Sequence, residues 1–173
     1  MLQRPEQDEY FDYFAQYVGR VPDGALADIL NRQMDELSAM VAGVGEEQAN
    51  TGYAPGKWSF KEVLGHMSDT ERVMSYRLLR AARGDRTSLP GFDQDVFVQN
   101  SSFAAQTVAQ LLADFRAVRR ATLALLAAVS DEAWLRKGVV NDHDMSARAL
   151  AYVIAGHALH HQHVLQTKYL SAE

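Results

Sequence analysis

A chain of 173 residues, 47% apolar and 23% charged, is long enough to bury one core and is neither disordered nor membrane-like in composition. Its formal net charge of -5 argues against nucleic acid as a partner, and the absence of cysteine confines transition-metal chemistry to imidazole and carboxylate ligands. The apolar runs fall far short of the ~20 residues that span a bilayer, and MLQRPEQDEYFDYF lacks a basic-then-apolar signal, so a cytoplasmic single domain over residues 1–173 is expected.

The chain opens with a short amphipathic stretch, about residues 5–18, carrying Tyr10, Phe11, Phe14, Tyr17 and Val18. It is expected to pack across the rest as an N-terminal helical arm. A first long helix is predicted from about Asp23, its N-cap, to Val44, with Leu26, Ile29, Leu30, Met34, Leu37 and Val41 on one face. The second begins at the capping box Ser59-Phe60-Lys61-Glu62 and stops at Gly84.

Residues 85–105 form a long connector, of a kind that is often functional. The third helix is predicted over about residues 107–129 and the fourth over about 146–170, capped by Ser146. Arg116, Arg119 and Arg120 read as a solvated or salt-bridged face. No segment alternates with period two over a convincing length, so no sheet is expected. The class is all-α: a four-helix bundle with a long crossover connection.

Four of the six histidines lie within residues 157–163. On a helical wheel Leu150, Val153, Ile154 and Val164 fall within about 60° of His157, and His161 lies about 40° from it. His163 falls about 120° away and His160 about 60° away, at one edge. An i, i+4 imidazole pair on an apolar face can bind one ion, and the ion satisfies nitrogens that burial would otherwise orphan. A third ligand has to come from elsewhere. His66 is the only histidine in the other long helices, whereas His143 falls in a loop. No glutamate follows His157 and none stands three residues before His66 or His157, so zinc-peptidase and di-iron patterns are both unsupported.

The run Tyr53-Ala54-Pro55-Gly56-Lys57-Trp58-Ser59, then Lys61-Glu62-Val63-Leu64-Gly65-His66-Met67 and Asp69-Thr70-Glu71-Arg72, resembles the DinB-like (DinB/YfiT) superfamily. So do Arg80 to Asp85, Leu89-Pro90-Gly91-Phe92-Asp93 and the closing Ile154-Ala155-Gly156-His157-Ala158-Leu159-His160-His161. The resemblance implies a four-helix bundle, often a homodimer, holding one divalent metal, usually zinc or nickel. The matching ligand positions are His66, His157 and His161. Ala158 departs from the pattern, since relatives often carry glutamate there.

The resemblance further implies a small-molecule substrate and, in some members, transfer to a low-molecular-weight thiol of the bacillithiol or mycothiol type. A thiolate nucleophile arriving with the cosubstrate suits a chain without cysteine. The alternatives are a metal-dependent hydrolase, with Asp69, Glu62 or His160 as proton carrier, and a non-catalytic metal-binding stress module. Tyr53, Trp58, Phe92 and Trp134 are candidate pocket walls. Arg77 and Arg80 either hold an anionic cosubstrate or pair with Glu71 or Asp85. No residue is assigned a catalytic role from sequence.

Overall fold

The computed structural model describes residues 2–170. Its N-terminal segment is not one helix but two 3-10 turns, Gln7–Glu9 and Asp12–Phe14, running into α1 (Ala15–Val18). The four bundle helices are α2 (Leu26–Val41), α4 (Phe60–Ala82), α6 (Val108–Ala127) and α7 (Ala147–Val164), with the short α3 (Glu46–Ala49) and α5 (Gln94–Gln99) in the connections. Helix α4 packs against α6 and α7, and α2 packs against the same two, which closes the bundle. No helix among the described residues is long and apolar enough to cross a membrane.

The start of α4 follows its capping box: Ser59 Oγ accepts from the Glu62 amide at 3.2 Å while the Glu62 carboxylate accepts from the Ser59 amide at 2.6 Å. The same device opens α6, where Thr107 and Gln110 cap each other. The first bundle helix starts later than expected, at Leu26, because Gly24 has φ 144°, outside the helical region; Asp23 instead meets Arg4 at 3.4 Å. It ends at Val41, and α7 stops at Val164 before a π turn over Leu165–Tyr169.

A two-stranded hairpin corrects the expectation of no sheet. Strand β1 (Lys137–Val140) pairs antiparallel with β2 (His143–Ser146), Lys137 opposite Ser146 and Val140 opposite His143. Asn141 and Asp142 turn it with φ 49° and 63°, the paired positive values of a type I′ turn. His143 therefore lies in a strand and stacks on Phe11 at 4.3 Å. The connector joins this hairpin, since the Leu89 amide donates to Val139 O at 3.0 Å and the Asn141 amide to Leu89 O at 2.8 Å.

The N-terminal arm crosses α7 very closely. A Cβ built on Gly156 would stand 2.0 Å from Tyr17 O, so only glycine permits this approach. The arm is anchored by Glu9, which is buried and accepts from Arg148 Nε at 2.7 Å and from Ser146 Oγ at 2.6 Å. The same Ser146 hydroxyl caps α7 by accepting from the Ala149 amide.

Desolvation pushes the Glu9 carboxyl up, but the hydrogen bonds from Arg148 and Ser146 outweigh it and hold it below its ordinary 4.5. A carboxyl depressed in the folded state contributes stability that is present above its unfolded pKa and lost as pH falls through the folded value. Glu9→Ala is expected to cost about 2–3 kcal/mol at neutral pH. It should also flatten the acid side of the stability profile below pH 4.5, as read by urea unfolding across a pH series.

Candidate metal centre

The bundle brings His66 of α4 and His157 and His161 of α7 together. His66 Nε2 lies 3.1 Å from His157 Nε2, and His161 Nε2 lies 3.1 Å from the same atom. His66 is 2% and His157 7% exposed. His157 sits one helical turn before His161, so α7 presents both rings on one face, and the packing of α4 on α7 delivers the third.

Hydrogen bonding alone cannot satisfy this arrangement. One imidazole nitrogen either donates a single proton or offers a single in-plane lone pair, yet His157 Nε2 faces two neighbours. Protonation does not relieve it. Burial above all, with the field of neighbouring histidines, holds His157 and His161 well below the ordinary value, and burial with the field of His160 brings His66 to about 4. The rings are therefore neutral with lone pairs converging, the state that a cation requires of its ligands. With zinc–nitrogen bonds of ~2.0–2.1 Å, two ligands at the tetrahedral angle stand roughly 3.3–3.4 Å apart, close to the spacing seen. The donor set fits one divalent ion, and His66, His157 and His161 form a group that can hold it.

Around the triad, Trp58 lies against the His66 ring at 4.8 Å and Tyr17 meets His157 edge-on at 5.5 Å. Thr70 Oγ1 stands 3.4 Å from His66 Nδ1. His161 Nδ1 is buried with no hydrogen-bond partner among the described residues. Ala158, where the resemblance leads one to expect glutamate, is 2% exposed and packs into an apolar cluster with Phe60, Leu64 and Phe115.

A cavity of 340 Å³ opens beside His157. Its walls come from the N-terminal arm (Phe11, Phe14, Tyr17), from α4 and from the connector at Gly91, Phe92 and Gln94. The connector thus does contribute to the site. Of the expected aromatic walls, Phe92 lines the cavity and Trp58 backs the triad. Tyr53 instead packs on Tyr169 at 5.2 Å, and Trp134 joins the core near Leu2 and Leu123.

Two of the three expected proton carriers are engaged elsewhere. Glu62 is occupied in its capping box, and Asp69 pairs with Arg72 at 3.2 Å. His160 stands beside the triad, its ring 4.9 Å from that of His161, but its Nδ1 is buried without a partner among the described residues. The two arginines divide: Arg80 pairs with Asp85, while Glu71 takes Arg119 rather than Arg77. Tyr17 and Asn141 were missed, and no local signal marks them, because tertiary packing alone brings them to the cavity.

A model of the DinB superfamily matches residues 29–165. YfiT from Bacillus subtilis, described as a probable metal-dependent hydrolase with an unusual four-helix bundle topology, shares the fold with a TM-score of 0.72. That match covers 82% of this chain and 87% of YfiT at 16% identity. No curated protein matches in sequence. With the family model spanning most of its length, the chain belongs to the DinB superfamily.

Proposed function

We propose that the chain is a divalent-metal-dependent enzyme that joins a low-molecular-weight thiol to a small molecule held in the cavity beside His157. The observation that carries this reading is the convergence of three neutral imidazole nitrogens, those of His66 and His157 buried and that of His161 half-buried, beside an aromatic-walled cavity that His157 lines. Zinc or nickel suits such a donor set. When bound, the ion supplies a Lewis-acidic position that favours the ionised form of a coordinated thiol or water.

The protein's own part is to bind, orient and exclude water. Tyr17 and Trp58 cover the triad, and the walls from Phe11, Phe14 and Phe92 hold an apolar body. No carboxylate among the described residues lines this cavity. A thiol, which ionises readily near neutral pH, needs no side-chain general base there.

Hydrolysis is the second reading, and the likeness in fold to YfiT favours it. Metal-reconstituted protein, given bacillithiol or mycothiol with an activated electrophile, is expected to consume the thiol in a chelator-sensitive reaction. Ester or amide cleavage without thiol consumption supports hydrolysis. Neither reaction, with metal stoichiometrically bound, overturns the enzymatic reading in favour of a binding module.

A further inference from the structure

Arg77 is 5% exposed, yet no carboxylate among the described residues pairs with it. Its contacts are with neutral groups. Nη2 donates to Pro90 O at 2.8 Å, Nη1 approaches Met74 Sδ at 3.6 Å, and the guanidinium lies over the Phe92 ring at 5.5 Å. The contrast with Arg119 is sharp: that guanidinium is also buried, but Glu71 neutralises it and Leu30 O and Gln33 accept its remaining protons. Arg72, Arg80 and Arg148 each pair with a carboxylate as well. Removing a cation from water without a counter-charge costs several kcal/mol. Arg77 bears that cost on the wall of the same cavity that His157 closes.

We propose that this cavity binds an organic carboxylate whose head pairs with Arg77 and whose apolar body runs along α4 toward the histidine triad. Planar, two-pronged donation from a guanidinium matches a carboxylate, and one positive charge balances one carboxylate rather than a phosphate dianion. On α4, His66, Thr70, Met74 and Arg77 fall at i, i+4, i+8 and i+11, within an arc of about 80°. The helix rises roughly 16 Å between the first and the last of these. The arginine arm leans back over Met74, so the head and the reacting end of the ligand stand on the order of 10 Å apart. Phe11, Phe14, Met74 and Phe92 supply apolar walls along that path, and Thr70, Gln94 and Asn141 supply the few polar groups that orient a bound molecule. Burial also lowers the pKa of Arg77, as an unpaired cation in such a wall requires.

The inference rests on the proposed function for what happens to the bound molecule; the binding itself needs no metal. The test is calorimetric titration of the metal-free protein with 4-phenylbutanoate, its amide, and 3-phenylpropyl phosphate. The carboxylate is expected to bind at least 10-fold more tightly than either of the others. Arg77→Met should lose at least 10-fold for the carboxylate and nothing for the amide, and Arg77→Lys should lie between. Without ligand, Arg77→Met should melt no lower than the parent chain, because an apolar isostere replaces an unpaired buried cation; a structural arginine would instead melt lower on removal. Because the titration is made on metal-free protein, failure of the metal reading would leave this result standing. Equal binding of carboxylate and amide, tighter binding of the phosphate, no binding by any probe, or an unaffected Arg77→Met overturns the proposal.

Discussion

Glu71→Ala is expected to destabilise the protein by about 3–5 kcal/mol, the largest loss from any single polar substitution, because it strands a charge at the centre of the bundle. Arg119 is 0% exposed. Its Nε and Nη2 each donate to Glu71 at 2.8 Å, and its Nη1 donates to Leu30 O at 2.9 Å and Gln33 Oε1 at 2.8 Å. Gln33 in turn donates to Ala155 O at 2.9 Å, and Gln162 donates to Gln33 O at 2.6 Å. One polar network therefore ties α2, α4, α6 and α7 together, and it grips α7 on both sides of His157 and beside His161. Thermal unfolding should show a drop of roughly 10 °C for Glu71→Ala. Glu71→Leu combined with Arg119→Met should lose much less, since it removes both charges. A single-substitution loss under about 1 kcal/mol would mean that water reaches the pair.

His157→Ala should weaken metal binding by roughly 1000-fold. Apparent affinities of zinc sites of 10–16 kcal/mol, shared among the ligands, assign each about 4 kcal/mol. His157 is chosen because its Nε2 is the atom that both other rings approach at 3.1 Å. Metal-free protein should keep its helical content, its melting temperature falling only by the cost of the cavity left by the buried ring. Competition against a chelator reads the affinity, and circular dichroism the fold. Unchanged affinity with intact helices would dissociate the ion from this triad.

The histidines were legible because the relevant signals are local. His157 and His161 share an apolar helix face, and the capping box at Ser59 and Glu62 sets the start of the helix that carries His66. The start of α6, expected near residue 107, falls where Thr107 and Gln110 cap each other. What escaped depended on distant partners or on single backbone angles. Arg119 sits among other arginines and reads as part of a solvated or salt-bridged face; it is salt-bridged, but its partner Glu71 lies on another helix, so no local pattern marks the pair as buried. The delayed start of α2 turns on the φ of Gly24, and the hairpin turns on Asn141 and Asp142 in left-handed conformations without the glycine that usually announces such a turn. Tyr17 reaches His157 only because Gly156 lets the arm cross α7.

The central claim is that one cation is held by three imidazoles. X-ray absorption at the metal edge of protein reconstituted with one equivalent of zinc tests it most directly. The spectrum should show three imidazole ligands at about 2.0–2.1 Å with any remaining position taken by solvent oxygen, and His66→Ala should lower the imidazole count by one. A shell of water and carboxylate oxygen, or identical spectra from the parent chain and His66→Ala, would contradict it.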